Sequence, residues 1–285
     1  MKKICILSAI VLLIGVIAAA RDFSLEEKEE ITKILKFKDP AKPKELQVDN
    51  IFGSIEVEGS SGEEVKLIAH KTIRGKNSEK IQKAKEEVKL EISEEGNAID
   101  LYVDGPFRCG EGRRWRSWRD PGYEVQFDFE LKVPHKTNLY LKTVNNGDIR
   151  VNNIEGELVV NNVNGKIEME EVAGSVEAHT VNGRVKTLFN RNPEADCSFR
   201  TINGDLEISF CPDLSADLRL KTFNGQAYSD FPVTYLPPEK AVAERKQGKY
   251  VYKSNRFSSV RVGKGGPEMK FDTLNGDILI NKRNK

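Results

Sequence analysis

Between residues 143 and 187 apolar side chains return two and four positions after each glycine and again two before the next. They are Ile149, Val151 and Ile154; Leu158, Val160 and Val163; Ile167, Met169 and Val172; Val176, Ala178 and Val181. Alternation inside each unit predicts a strand, and the parity break between units predicts a turn. The glycines Gly147, Gly156, Gly165, Gly174 and Gly183 fall nine residues apart. Asparagine precedes every second one, which sets a repeat of two units.

The paired corners are Asn146-Gly147, Asn164-Gly165 and Asn182-Gly183, 18 residues apart, then Asn203-Gly204 and Asn224-Gly225, each 21 further on, and Asn275-Gly276 after a gap of 51. Asn-Gly suits a corner because it adopts left-handed backbone at little cost. The gap of 51 equals one 21-residue repeat plus about 30 inserted residues, which makes Asn275 the next layer after Asn224. Two architectures produce such a pattern: hairpins with Asn-Gly tips, or a solenoid in which equivalent residues stack. A meander gives no reason for a second, asparagine-free corner halfway through each repeat. The expected fold is therefore all-β, a single-stranded β-solenoid (β-helix) with coils of 18 to 21 residues and short helical insertions. Val144, Val163, Val181, Ile202, Phe223 and Leu274, each just before a corner, are expected to point inward, and Gly183 to need positive φ.

The flanking segments divide the chain further. Residues 1–20 carry Lys2 and Lys3, an uncharged run from Ile4, and Ala18 and Ala20 before Arg21, the pattern of a cleaved signal peptide, with an uncleaved anchor as the alternative. Residues 21–135 read as an N-terminal β segment. In it, NIFGSIEVEG resembles a first repeat, a helix is expected at about Ser78 to Glu87, and YEVQFDFELKV alternates until Pro134. Residues 136–285 hold the solenoid repeats, interrupted at about 226–270, where EKAVAERKQG is a helix candidate and KYVYKSNRFSSVRVG alternates like a hairpin. Residues 106–123 concentrate five arginines and both tryptophans. Arg113, Arg114, Trp115, Arg116, Trp118 and Arg119 there form a candidate binding loop, since arginine and tryptophan hold anions and stack on sugar rings. Cover for a solenoid end is the structural alternative.

The order FDFELKVP, TVNNGDIRVNNIEGELVVNNVNG, HTVNGRV, TINGDLEISF, LSADLRLKTFNGQAYSDF and VRVGKGGPEMKFDTLNGDI resembles a bacterial β-strand-repeat family of unknown function, often labelled adhesin-like, over roughly residues 40–280. The resemblance implies an exported cell-envelope protein with a solenoid-like β fold. It brings no catalytic residues to carry over.

Chemistry is sparse. His70, His135 and His179 are isolated in sequence, and no zinc, phosphate-loop or nucleophile motif occurs. No cofactor or metal is therefore expected, and the chain reads as non-enzymatic. Asp148, Asp205 and Asp277 each follow a corner glycine and are expected as a solvated row. Cys197 and Cys211 read as inward thiols, with a mutual disulfide as the alternative, while Cys109 lies in the arginine and tryptophan loop. Loss of the leader leaves 43 basic against 44 acidic side chains, which excludes a general electrostatic grip on nucleic acid. No membrane span is expected after signal cleavage. The chain reads as an envelope scaffold or interaction module in the periplasm, at the cell surface or outside the cell, with an envelope glycan or a protein as partner. Its alternatives are a carbohydrate-binding or polysaccharide-degrading β-helix protein, or an accessory of an envelope-stress system.

Overall fold

The computed structural model describes residues 12–13, 23–39, 41–108, 121–237, 242–246, 249–253 and 257–283. The signal-peptide pattern, apart from residues 12–13, and the loop residues Arg113 to Arg119 with Cys109 lie outside them. The chain divides into two compact units, residues 1–154 and 155–285.

The first unit contains β1 (Leu12–Leu13), β2 (Leu25–Lys36), β3 (Glu45–Asp49), β4 (Ile55–Ser60), β5 (Glu64–Gly75), α1 (Ser78–Glu87), β6 (Lys89–Glu95), β7 (Ala98–Asp104), β8 (Tyr123–Pro134), β9 (Asn138–Lys142) and β10 (Ile149–Asn152). One set of strands runs in the order β1-β2-β5-β8-β4-β10, and the other β9-β3-β7-β6. The NIFGSIEVEG segment behaves as a repeat: β4 pairs in parallel with β10, Ile55 opposite Ile149 and Val57 opposite Val151. Helix α1 forms where its polar spacing predicts. The side chain of Asn77 accepts the Lys80 N–H at its start, and Ile81 and Ala84 are its buried face. Lys71, buried on β5, donates to the Val88 carbonyl beyond its end at 3.3 Å, where a cation meets the negative pole of the helix.

The second unit contains β11 (Leu158–Asn161), β12 (Ile167–Val172), β13 (Val176–His179), β14 (Val185–Phe189), β15 (Cys197–Arg200), β16 (Leu206–Phe210), β17 (Ala216–Lys221), β18 (Ala227–Ser229), β19 (Val233–Tyr235), β20 (Val242–Lys246), β21 (Lys249–Lys253), β22 (Ser258–Val262), β23 (Glu268–Asp272) and β24 (Ile278–Lys282). Successive repeat strands alternate between two sheets, β12-β14-β16-β24-β18 and β11-β13-β15-β23-β17-β22-β19. Parallel, in-register pairing places like side chains over one another. Phe199 lies opposite Phe271 and stacks on it at 5.4 Å, and Phe189 stacks on Phe210 at 5.2 Å.

The expected single-stranded solenoid is corrected by this topology. The chain builds two large mixed sheets, and antiparallel pairs join β2 to β5, β5 to β8, β6 to β7, and β22 to both β17 and β19. The nine-residue period reports only the repeat strands. Segments without the repeat, such as the 12-residue strands β2 and β5, are free to reverse and pair antiparallel. The helix expected in EKAVAERKQG is corrected too, because Val242–Lys246 is a strand paired antiparallel with Lys249–Lys253. The hairpin expected in KYVYKSNRFSSVRVG is likewise split, its second half pairing with β17 and β19 instead.

The stacking order differs from the chain order. β24 lies between β16 and β18, and β23 between β15 and β17, so the last repeat is intercalated before the repeat of Asn224.

The residues expected inward before each corner are half-buried or exposed. Phe223 is 69% exposed and Leu274 46%. The position one earlier takes the interior instead: Thr143, Asn162, Thr180, Thr201 and Thr273 are buried, as is Asn50 of the first repeat. Each of these threonines donates its hydroxyl to a corner glycine carbonyl of a neighbouring repeat: Thr143 to Gly53, Thr180 to Gly165, Thr201 to Gly183 and Thr273 to Gly204, at 2.8 to 3.1 Å. A hydroxyl that closes a carbonyl otherwise lost in the turn outweighs the small apolar gain from burying the next side chain.

Candidate interaction surfaces

The Asn-Gly corners form a ladder. Asn182 donates its side-chain amide to Asn164, Asn203 to Asn182, Asn275 to Asn203 and Asn224 to Asn275, each at 2.7 Å. The same residues are joined by parallel main-chain bridges. Glycine is required there by close approach. A Cβ on Gly183 would stand 2.2 Å from the Gly165 carbonyl oxygen, and one on Gly276 1.9 Å from that of Gly204. The expected positive φ at Gly183 is not found; in the first corner it is Asn146 that takes it, at +58°, while Gly147 would clash with Gly53 at 2.1 Å.

The acids after the corners are structural. Asp205 accepts the backbone N–H of Asp277, and Asp277 accepts that of Gln226, both at 2.8 Å. Asp205 is exposed and Asp277 half-buried, so both stand at the surface as expected, and each carboxylate also ties one repeat to the next. Asp148 lies 3.5 Å from Arg150 in an ion pair.

The candidate loop is anchored just before it leaves the described residues. Arg108 donates to the Asp49 carboxylate at 2.8 Å and the Asp49 carbonyl at 2.6 Å. It also donates to the Val103 carbonyl at 2.8 Å and lies 4.3 Å from the centre of the Tyr102 ring. Phe107 meets Phe52 edge to face at 6.0 Å. One of the five arginines is thus spent on fixing the loop's base.

An open cleft of about 390 Å³ lies over β11, β13, β15 and β23. Glu157, Glu177, Asp196 and Glu268 line it against one cation, Lys270, and the buried Cys197 is also in its lining. Glu268 is held by Arg219 at 3.0 Å and through its N–H by Asp196 at 2.7 Å. Cys197 and Cys211 are both free thiols. Burial pushes the Cys197 thiol up to about 11, so it is an unreactive core group. Cys211 is half-buried rather than interior, its sulfur 3.3 Å from the Asn190 carbonyl. His179 faces outward beside Glu177 at 3.8 Å, and burial lowers its pKa. His70 pairs with Glu130 at 3.4 Å and Glu30 at 3.8 Å on the surface. Among the described residues no group of His, Cys, Asp and Glu is placed to hold a metal ion, and no helix is long and apolar enough to cross a membrane.

Sequence reasoning missed the exposed apolar end of the second unit. Phe223, Leu274, Tyr228, Val233 and Tyr235 are five of the seven large hydrophobic residues exposed among the described residues. A threonine does recur three residues before Gly183, Gly204, Gly225 and Gly276, but what takes it inward in place of the following residue is its bond to a neighbouring repeat's glycine carbonyl.

No family model matches the chain, and no curated protein matches it. Among solved structures it is similar to a putative cell adhesion protein from Clostridium sporogenes ATCC 15579, at 12% identity and TM-score 0.41, covering 90% of this chain and all of that one. A putative lipid binding protein from Parabacteroides distasonis ATCC 8503 matches at 12% identity and TM-score 0.24, over 90% of this chain and 97% of that one. A putative adhesin from Parabacteroides merdae ATCC 43184 matches at 11% and 0.23, over 90% and 96%. Likeness at these scores carries neither function nor ligand to this chain.

Proposed function

We propose that the chain is a non-enzymatic, exported interaction module of the cell envelope, adhesin-like in role, that presents the loop of Arg113 to Arg119 to an anionic envelope glycan or an acidic protein. What supports this reading is the fate of the polar corner residues. Asn164, Asn182, Asn203, Asn275 and Asn224 bond to one another, and Asp205 and Asp277 bond to the next repeat's backbone. The rows that would offer catalytic acids hold the second unit together instead, and in the first unit Arg108 fastens the base of the loop.

Binding of the mature chain to isolated cell-wall material tests the reading, with a Trp115→Ala/Trp118→Ala variant beside it. Affinity should fall while the thermal melt stays unchanged, and part of the affinity should be lost to salt. A large drop in melting temperature with unchanged affinity would make the loop a structural cover and overturn the proposal. The acid-lined cleft favours a second reading, carbohydrate binding or cleavage, which turnover of a glycan lost in Glu177→Gln would support.

A further inference from the structure

We infer that the open end of the second unit is the seat of a second copy of this chain, paired through β18 about a two-fold axis. The inference stands apart from the loop-binding proposal and uses none of its residues.

The two terminal strands are built like the others, but among the described residues nothing covers them. Ala227 and Ser229 lie opposite Ile278 and Ile280, and Val233 and Tyr235 opposite Val262 and Val260. Paired residues project to the same face of a sheet, and those four partners are all buried. Ala227, Ser229, Val233 and Tyr235 are nevertheless all exposed, Tyr235 at 81%. Tyr228, between Ala227 and Ser229, is exposed on the opposite face of β18, and Phe223 and Leu274 are exposed beside the corners.

The edge of β18 is also unguarded. Ile278 N–H donates to the Gln226 carbonyl and Asp230 N–H to the Ile280 carbonyl, so in this parallel pair the even positions face β24 and the main-chain groups of Ala227 and Ser229 face away. Exposed edges are ordinarily blunted by charge, proline or a covering segment. β19 is flanked by Pro232 and Pro237, whereas residues 222–229 contain neither proline nor charge. Across residues 222–237 the one charged side chain is Asp230, and its carboxylate accepts the Lys282 N–H at 2.9 Å. In a chain that is 31% charged, such a stretch has nothing to select an oppositely charged partner and nothing to repel its own copy. Antiparallel pairing of β18 with itself matches each free N–H to a C=O, the self-complementarity that a two-fold interface demands.

Sedimentation of the mature chain, residues 21–285, from about 1 to about 100 µM tests this. A monomer–dimer equilibrium is expected. Phe223→Lys/Tyr228→Lys should weaken it by about tenfold or more with an unchanged circular dichroism spectrum, and Ile34→Lys, at an exposed apolar site on β2, should leave it intact. Tyr235→Lys alone serves if the double variant misfolds. A monomer throughout the range overturns the inference and leaves a strand of another protein as the occupant. A dimer indifferent to the lysines, or an assembly larger than two, overturns it as well.

Discussion

At the scale of single residues, the corners show why glycine and threonine recur. Gly183→Val would drive a side chain into the Gly165 carbonyl, where even a Cβ stands at 2.2 Å, and should cost about 3 kcal/mol or more. Arg184→Val removes an exposed ion pair to Glu168 and should cost under about 1 kcal/mol; equal melts would remove the close-approach argument. Threonine to valine should change sign with position. Thr201 bonds Gly183 O, and its loss strands a carbonyl at about 1 to 3 kcal/mol. Thr187 is fully buried with an unpartnered hydroxyl, so Thr187→Val should raise the melting temperature. His179 adds a pH dependence. Burial, then Arg200 and Lys270, hold its pKa below the ordinary 6.5, against the opposing pull of Glu177. The unfolded chain therefore takes up the proton first, and stability is complete above that value and declines as pH falls below it. Melts between about pH 7.5 and about pH 5.5 should show the decline, and His179→Gln should flatten it.

At the scale of elements, the repeat strands and α1 were legible because their spacing is local. Stacking order was not. Asn203 and Asn224 are 21 residues apart, as Asn182 and Asn203 are, yet the repeat of Asn275 separates them in space. A chain ended after Gly266 loses β23 and β24 from the interior of the stack. The buried residues Met269, Phe271, Ile278 and Ile280 go with them, at roughly 1.5 to 3 kcal/mol each. Its thermal transition should move far down or lose cooperativity. A transition like that of the full chain would mean that the Asn224 repeat can close directly on the Asn203 repeat.

At the scale of the whole molecule, we propose that residues 1–20 act as a cleaved leader that takes the chain out of the cytoplasm. Expressed with its own first 20 residues in a bacterial host, the protein should be recovered outside the cytoplasm with Arg21 as its first residue by intact mass. Recovery with the leader attached would make residues 1–20 an anchor. The antiparallel strands are the large-scale feature that periodicity could not report. β2, β5 and β8 carry no glycine period, and their direction is set by the connections between them and by which face of each must be covered.

The sequence by itself determined that this is an all-β chain, where its repeat strands and corners lie, and that α1 interrupts them. Each of these follows from a side-chain period or a cap within a few residues. Tertiary structure alone decided the division into two mixed sheets, the intercalation of β23 and β24, the choice of Thr143, Thr180, Thr201 and Thr273 over their apolar neighbours for the interior, and the exposure of Phe223 and Leu274. The reason is common to all four. An alternating strand presents two faces and two edges, and the strand that covers each is chosen by contacts with residues tens of positions away, which no local period encodes.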